Sequence, residues 1–197
     1  EQEGAWQNAE VDALLRLDEA GVRVPHIYNY VGGVLLMELV VDADGDAAPR
    51  LNDLKLTGDQ AREYHREMIS QIVLMLCAGI VHGDLSEYNV LVGSDGLVII
   101  DLPQAINAAG NNNAASMLER DVKNMTAYFG RFAPELLSTE YGKEIWNLYA
   151  RGDLTPTMEL TGRFKSSDNP ADLYGVKREI DSARRWHERQ LANKKMI

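Results

Sequence analysis

Apolar side chains near the amino terminus first follow a helical and then a β spacing. Over residues 6–20 they recur every three or four positions, and Gly21 follows where a helix commonly stops. Residues 27–31 and 34–41 are two runs rich in apolar and β-branched residues, with a Gly-Gly pair between them. Such a pair between two such runs is typical of a hairpin. The pattern therefore predicts one helix followed by two antiparallel strands.

The rest of the chain shows mostly helical spacing around a second pair of short strands. Residues 42–49 are a polar connector rich in Asp and Gly, and residues 59–78 have the apolar stripe of a long helix that ends at Gly79. Residues 90–92 and 97–100 are short apolar runs on either side of a Gly-Ser-Asp-Gly turn. The following stretch is helical in spacing, with breaks expected at Pro134, Pro156 and Pro170.

These elements predict an α+β chain made of a small β-containing lobe and a larger helical lobe. The polar connector near residues 42–50 marks the boundary. A chain of 197 residues is long enough for one sizeable domain, or for most of a domain cut short at one end. No apolar stretch reaches the roughly 18 residues of a membrane-spanning helix, so we expect no membrane contact.

Composition and charge narrow the compartment and the partners. The single cysteine, Cys77, lies within an apolar run, which predicts a small buried side chain rather than a catalytic thiol. One thiol cannot form an internal disulfide, and the first residues do not resemble a signal peptide, so a cytoplasmic location fits best. The formal net charge of −10 argues against broad contact between the whole chain and nucleic-acid phosphates.

Positive charge is concentrated near the carboxy terminus. Residues 177–195 contain seven Lys or Arg and three acidic residues. This surplus could contact RNA or an acidic partner, although such a run is more often the solvated face of a helix. The residues themselves leave both interpretations open.

Three polar side chains stand around the second pair of predicted strands. Asp84 and Asn89 lie five residues apart on a loop that leads into a strand, and Asp101 follows the apolar run 97–100. A carboxylate such as that of Asp84 can orient an attacking hydroxyl or accept its proton. Amide and carboxylate oxygens, such as those of Asn89 and Asp101, suit a magnesium ion that bridges nucleotide phosphates. The spacing therefore predicts phosphoryl transfer.

These segments are similar to those of the RIO group of atypical protein kinases. Residues 82–89, His-Gly-Asp-Leu-Ser-Glu-Tyr-Asn, resemble the catalytic loop of the protein-kinase superfamily in its RIO form. Residues 99–104, Ile-Ile-Asp-Leu-Pro-Gln, resemble the metal-binding segment of the family, and residues 120–124 the helix that follows it. Residues 20–25 resemble the exit from the small-lobe helix. The similarity spans residues 5 to about 130.

The resemblance implies a protein-kinase-like, two-lobed α+β fold. Residues 1–41 would be the remnant of a small lobe, with a helix, a hairpin and a hinge, and residues 42–197 the large catalytic lobe. Asp84 would be the catalytic aspartate. Asn89 and Asp101 would be the metal ligands, and Asp101 is also a candidate phosphate acceptor.

The resemblance also assigns a nucleotide site. The hinge would be residues 36–40, and the backbone of Glu38 and Val40 within it would meet the adenine base of ATP. Met37 would stand at the back of the pocket and Leu91 beneath the base. Glu10 would pair with a phosphate-binding lysine. ATP and Mg²⁺, with Mn²⁺ as an alternative ion, would be the cofactors.

Two parts of the family pattern have no counterpart before Glu10 in these residues: a Gly-x-Gly loop and a lysine on an apolar strand. We therefore expect this chain alone to be a poor kinase, with the remaining strands supplied by the rest of the protein. Ala133-Pro134-Glu135 resembles the motif that closes a conventional activation loop. It follows residues 120–124, however, and its Pro and Glu suit the start of a helix.

Several further side chains have expected supporting roles. His82 is expected to pack against the loop backbone rather than to act as a base. Asp121 would either accept hydrogen bonds from the catalytic-loop backbone or lie exposed on its helix. The three tryptophans are expected to be packing residues: Trp6, Trp146 and Trp186.

The leading prediction is an ATP- and Mg²⁺-dependent Ser/Thr phosphotransferase of the RIO type, which acts on an unidentified protein or on itself, or turns over ATP. A phosphotransferase of the aminoglycoside or choline type shares His-Gly-Asp and the later Asn, although Ser86-Glu87-Tyr88 and Leu102-Pro103-Gln104 point away from it. A nucleotide-sensing assembly factor is the third hypothesis. The resemblance also implies a link to ribosome maturation, with any RNA contact through residues 177–195.

Overall fold

The computed structural model of the chain describes the backbone of residues 2–164 and the side chains of residues 10–164. Several residues singled out above lie outside this part: the basic segment 177–195, Pro170, Trp186 and the side chain of Trp6.

Helices and three pairs of short strands alternate along the described residues. The helices are α1 (Gln2–Glu19), α2 (Gly58–Cys77), α3 (Ala114–Phe129) and α4 (Tyr141–Ala150), with 3-10 turns at Leu51–Asp53 and Pro134–Ser138. The strands are β1 (Ile27–Val31), β2 (Val34–Met37), β3 (Ile80–Val81), β4 (Val90–Gly93), β5 (Gly96–Ile99) and β6 (Ile106–Asn107). All three pairs are antiparallel, β1 with β2, β3 with β6 and β4 with β5. This content confirms the predicted α+β class. None of the described helices is long and apolar enough to cross a membrane.

The amino-terminal helix and hairpin are present as predicted. Gly21 follows α1 with a left-handed φ of 80°, which a glycine adopts without strain. The second strand is shorter than predicted and ends at Met37 rather than at Val41. The N–H of Glu38 makes the last bond across the pair, to the carbonyl of His26 at 2.8 Å. The chain then leaves the hairpin, so the residues that follow are available for other contacts.

Helix α2 is the centre of the core. It begins with a capping box, in which the Gln60 N–H donates to Thr57 Oγ1 at 3.2 Å and the Thr57 N–H donates to Gln60 Oε1 at 2.9 Å. The predicted apolar stripe is confirmed, since Met68, Ile72 and Leu76 are at most 2% exposed. Other core residues come from α3, α4 and β5: Leu97, Ile99, Leu118, Met125, Phe129 and Ile145.

The prediction that Cys77 is buried is wrong. Cys77 is the last residue of α2, and its side chain is exposed although Leu76 beside it is buried. Each residue turns a helix by about 100°, so the step from Leu76 to Cys77 leaves the buried stripe. An unbroken apolar run in the sequence hides this change of face.

The helical carboxy-terminal region of the described part also agrees with prediction. Pro134 opens the 3-10 turn Pro134–Ser138, which confirms that Ala133-Pro134-Glu135 starts a helical segment. Trp146 on α4 is partly buried against the core, as expected of a packing residue.

The β4–β5 hairpin is tied to helix α2. The Leu97 N–H donates to Glu67 Oε1 on α2 at 2.7 Å. Gly96, before it, has a φ of 122°, and a Cβ at this position would lie 2.4 Å from the same oxygen. Only glycine therefore permits this contact. The contact matters for function because the candidate metal ligands flank the hairpin.

His65 on α2 is a buried histidine in an aromatic surrounding. Its Nε2 lies 3.1 Å from Thr126 Oγ1, and its ring centroid lies 5.8 Å from that of Phe129 and 5.6 Å from that of Tyr141. Burial lowers the pKa of His65 from 6.5 to about 4, because the charged imidazolium loses its hydration. The folded protein therefore keeps His65 neutral well below neutral pH.

We expect acid to destabilise the protein through His65. Between about pH 6.5 and pH 4 the unfolded chain binds a proton that folded His65 does not bind. The free energy of unfolding should therefore fall as the pH drops through this window, by up to about 3 kcal/mol at about 1.4 kcal/mol per pKa unit. Above pH 6.5 the group is neutral in both states and contributes no pH dependence. Urea unfolding of the wild type and of His65→Gln across this range measures the effect.

The exposed His26 supplies the control for this prediction. His26→Gln should leave the acid-induced loss nearly unchanged, whereas His65→Gln should reduce it. A stability difference between the wild type and His65→Gln that stays constant from about pH 7.5 to pH 4 would contradict the assignment.

Candidate functional site

The candidate active site is built on the loop of residues 82–89, which connects β3 to β4. Both oxygens of the Asp121 carboxylate on α3 accept bonds from this loop, from the Gly83 N–H at 2.8 Å and from the Leu85 N–H at 3.1 Å. Asp121 is 2% exposed. The structure therefore selects the first of the two interpretations of Asp121, a hydrogen-bond acceptor for the loop that carries Asp84.

The charge of Asp121 is balanced by its surroundings. Burial raises its pKa to about 6, while the two loop N–H groups and the guanidinium of Arg120 oppose this rise. Arg120 also donates a hydrogen bond to the carbonyl of Gly83. At neutral pH the Asp121 carboxylate is therefore ionised and accepts both N–H bonds.

His82 joins the loop to the strand that leads to Asp101. It is 2% exposed, and its Nε2 lies 3.1 Å from the Ile100 carbonyl. The Asp84 N–H donates to His82 Nδ1 at 3.3 Å, so Nδ1 is the acceptor nitrogen of the ring. The proton is therefore on Nε2, which donates a hydrogen bond to the Ile100 carbonyl. Burial lowers the pKa of His82, which favours this neutral form. His82 thus packs against the backbone, as predicted.

The side chain of Asp84 faces solvent at the surface of the loop. It is exposed, and Gln104 Nε2 approaches its Oδ2 at 3.4 Å. The preceding Gly83 has a φ of 82°, and a Cβ there would lie 2.6 Å from the Gln104 carbonyl oxygen. The loop therefore passes close to residue 104 and leaves the Asp84 carboxylate accessible to solvent.

Asn89 and Asp101 lie at the end of the β4–β5 hairpin that meets the loop. Val90 pairs with Ile99, and the Ile100 N–H donates to the Asn89 carbonyl at 3.0 Å. Asn89 and Asp101 therefore flank the same end of the hairpin. Among the described residues other than glycine, only Asp101 has a left-handed φ, at 65°. Such a backbone costs energy and is typical of functional positions.

The orientation of Asn89 suits a metal ligand. Its Nδ2 donates to the main-chain carbonyl of Asp84 at 2.9 Å, so the amide oxygen is left for another partner. With the exposed carboxylate of Asp101, this gives two hard oxygen donors, the type that Mg²⁺ prefers when water and phosphate supply the rest. No group of three His, Cys, Asp or Glu side chains within residues 10–164 could hold a metal alone. The donor set fits Mg²⁺ bound together with a nucleotide.

The predicted hinge lies beside strand β4. The Ser94 N–H donates to the Val41 carbonyl, and the Val92 N–H donates to the Pro49 carbonyl, both at 2.9 Å. Val40 is 5% exposed and Met37 40% exposed. Leu91, half-buried, lies on the adjacent β4 strand, opposite Val98. The structure thus brings Val41, the residue after the predicted hinge, beside the end of the β4 strand that carries Leu91.

Glu10 stands apart from these residues in its contacts. It is half-buried on α1, and its side chain makes no hydrogen bond or ion pair with the residues whose side chains the structure describes. Its role as the partner of a lysine stays a prediction.

A cavity of about 680 Å³ lies elsewhere, between α3 and the start of α4. Neither Asp84, Asn89 nor Asp101 lines it. The candidate active site is therefore an open surface rather than this cavity.

Sequence reasoning missed the charged residues that hold the site from outside. Glu67 accepts a hydrogen bond from the β4–β5 hairpin. Arg131 Nη2 lies 3.1 Å from Oε1 of the nearly buried Glu87 in the loop. Arg23 forms an ion pair with Glu38. Glu67 and Arg131 look like ordinary polar helix positions in the sequence. Arg23 had a signal, because it stands between two valines in a segment that leaves a helix.

The sequence of this chain is similar to those of known RIO-type proteins. A family model described as the RIO domain matches residues 1–141. The RIO-type serine/threonine-protein kinase Rio1 of Haloferax volcanii is 41% identical over 128 residues, which cover 64% of this chain and 42% of that protein. The serine/threonine-protein kinase RIO1 of Chaetomium thermophilum is 32% identical over 174 residues, which cover 83% of this chain and 32% of that protein. The chain therefore spans less than half the length of these relatives.

We expect Gly83→Ala to destabilise the protein through the loop. The new Cβ would clash with the Gln104 carbonyl oxygen at 2.6 Å, at a φ of 82° that L side chains rarely adopt. Gly152→Ala is the matched control, because Gly152 has a φ of 75° with no atom within 4 Å of its Cβ position. Chemical unfolding should give a loss of about 1 kcal/mol for Gly152→Ala and about 2–4 kcal/mol for Gly83→Ala. Equal losses would show that the close approach has no energetic consequence.

We expect Asp121→Asn to loosen the loop. An amide side chain offers one acceptor oxygen and turns an NH₂ toward the second N–H donor, so one of the bonds to Gly83 and Leu85 is lost. The loss of a buried bond of this kind costs about 1–3 kcal/mol. Amide hydrogen exchange should become faster at these two residues, while Glu119→Gln, an exposed site on the same helix, leaves it unchanged. Unaltered protection in Asp121→Asn would refute the role assigned to its carboxylate.

Proposed function

This chain belongs to the RIO domain family, and from that membership we propose that it carries the catalytic and metal-binding loops of an ATP- and Mg²⁺-dependent phosphotransferase. The substrate group is a Ser or Thr hydroxyl of a protein, which can be the enzyme itself, and ATP hydrolysis is an accompanying reaction. One observation supports this most: Asp84 is exposed on a loop bonded on both sides to Asp121, beside the end of the hairpin that presents Asn89 and Asp101.

Each of the three residues has a distinct role in this proposal. The Asp84 carboxylate orients the attacking hydroxyl and accepts its proton. Asn89 Oδ1 and the Asp101 carboxylate would hold Mg²⁺, or Mn²⁺ in its place. A bound ion supplies positive charge that stabilises the phosphate oxygens. Asp101 is also a candidate phosphate acceptor, since its carboxylate is exposed.

The adenine base is proposed to lie at the hinge. Within the described residues, the Glu38 carbonyl and the Val40 N–H make no hydrogen bond, and they match the donor and acceptor edges of adenine. Met37 would close the back of this site, and Leu91 would lie beneath the base.

The two-lobe division is part of the same proposal. We assign residues 1–41 to the small lobe, with Glu10 on its helix, and residues 42–197 to the large lobe. Large apolar side chains stand exposed on the hairpin and just beyond it, as expected for an element that a fuller small lobe covers: Tyr28, Val31, Val34, Leu36, Met37 and Leu39.

Family membership favours a protein substrate over an antibiotic or choline. A nucleotide-sensing assembly factor remains the alternative class, and it differs in binding ATP tightly with little turnover. Contact of residues 177–195 with RNA or ribosome precursors and a cytoplasmic location stay predictions.

Mg²⁺-dependent ATP binding and hydrolysis test the proposal, on this chain and on a form extended at its amino terminus. Asp84→Ala should lower turnover by about 10²- to 10⁴-fold with ATP still bound, because the base is lost while the metal ligands remain. Asp101→Ala should abolish Mg²⁺-dependent binding. Asp95→Ala, which changes an acid in the turn of the same hairpin, is the control and should behave as wild type.

The outcomes separate the alternatives. Turnover that is unchanged in Asp84→Ala would contradict the catalytic assignment. Tight ATP binding with negligible turnover in both forms would favour the assembly factor. If neither form binds nucleotide, the phosphotransferase proposal is wrong.

A further inference from the structure

Arg23 connects three parts of the molecule that are distant in sequence. Its guanidinium donates to both carboxylate oxygens of Glu38, from Nη1 at 2.7 Å and from Nη2 at 2.6 Å. Its main-chain N–H donates to Gln71 Oε1 on α2 at 2.8 Å. Its carbonyl accepts the N–H of Ile99, the last residue of β5, at 2.9 Å. One residue therefore bonds to the hinge, to the central helix and to the strand that leads to Asp101.

The pair of Arg23 and Glu38 is rigid for a partly exposed ion pair. The two side chains are 35% and 22% exposed, and Glu38 Oε2 also accepts the His26 N–H at 3.0 Å. Two parallel bonds fix the plane of both groups, which a single contact does not. The hydrogen bonds from Arg23 lower the pKa of Glu38 to about 2. Both side chains therefore stay charged at neutral and mildly acidic pH.

The main chain of Glu38 is fixed together with its side chain. Its N–H donates to the His26 carbonyl at 2.8 Å, while its own carbonyl makes no bond within the described residues. With the N–H and the carboxylate both held, rotation about the Cα–C bond is the one freedom that the Glu38 side leaves to that carbonyl. Two residues on, Val40 is buried and its carbonyl accepts the Ala48 N–H at 3.0 Å, so the chain is anchored on both sides of the Glu38 carbonyl.

We propose that Arg23 is a positioning residue for adenine recognition, which acts through Glu38 and makes the site selective for a 6-aminopurine. The inference rests on the proposed function, since it refines how the hinge would bind ATP. A 6-amino group donates to the Glu38 carbonyl, whereas the 6-oxo group of inosine places an acceptor against it. Selectivity then depends on how firmly that carbonyl is held, because a movable carbonyl turns away from the wrong base.

The bond to Ile99 adds a second consequence. Ile99 is the last residue of β5 and lies two residues before Asp101, so Arg23 sets the base site and the candidate metal site relative to each other. A nucleotide would occupy the base site and the metal site at the same time, so the spacing between the two sites has to match the length of the nucleotide. Arg23 is therefore distinct from an ordinary surface arginine such as Arg62. Arg62 pairs with Asp59 on its own helix, α2, and with Glu135 in the 3-10 turn Pro134–Ser138.

Calorimetric titration of this chain and of its amino-terminally extended form with MgATP, MgITP and Mg-tripolyphosphate tests the proposal. Arg23→Lys keeps the charge but loses the two parallel bonds, and Glu38→Gln keeps the shape but loses the ion pair. Each should weaken MgATP binding about tenfold, with little change for tripolyphosphate, and so reduce the preference for ATP over ITP. Arg62→Lys is the matched control and should change none of the three affinities.

The double variant Arg23→Lys with Glu38→Gln should be no worse than either single variant, because both remove the same interaction. Thermal unfolding of each variant reports any loss of stability. If the ATP to ITP preference is unchanged while stability falls, Arg23 supports only the fold and the inference is wrong. Equal weakening for tripolyphosphate would also overturn it.

The same experiment separates this inference from the proposed function. Absence of MgATP binding by both the unsubstituted chain and its amino-terminally extended form would contradict the proposed function and the inference together. Binding of ATP with full selectivity in Arg23→Lys would overturn the inference alone and leave the proposed function standing.

Discussion

The buried carboxylate of Asp121 is the interaction on which the candidate active site depends. A buried charge is costly unless hydrogen bonds replace its lost water, and the Gly83 and Leu85 N–H groups supply them. These two bonds fix the loop backbone on both sides of Asp84. Gly83, with its φ of 82° and the Gln104 carbonyl close by, permits this backbone path. The Asp121 carboxylate on α3 and Gly83 in the loop therefore act together to fix the loop backbone around Asp84.

The β4–β5 hairpin gives the site its second constraint. Its register places Asn89 and Asp101 at the same end, and its other contacts anchor that register to the core. Glu67 holds the start of β5 from α2, and the carbonyl of Arg23 holds its end. Because Arg23 also pairs with Glu38, the proposed base site and metal site share one scaffold. Separate parts of the proposed nucleotide site thus depend on the same few bonds.

Much of this arrangement could be predicted from the sequence. The Gly-Gly and Gly-Ser-Asp-Gly turns located both hairpins, and the apolar stripe of α2 located the core, because turn residues and periodicity are local signals. The resemblance of residues 82–89 and 99–104 to the RIO family is confirmed by the family model. Cys77 was placed wrongly for the same reason, since a run of apolar letters does not say where a helix turns away from its core.

The sequence by itself determined the main helices, the two hairpins, the family and the identity of the polar side chains around the second hairpin, since each of these follows from neighbours in the chain or from a contiguous motif. Only the tertiary structure decided that Asp121 is a buried acceptor rather than an exposed helix residue, and that Arg23 and Glu67 hold the site. Bonds such as those of Arg23 to Gln71 and to Ile99 join residues far apart in the chain. A charged side chain carries no mark of its distant partner, so packing alone reveals which charges are structural.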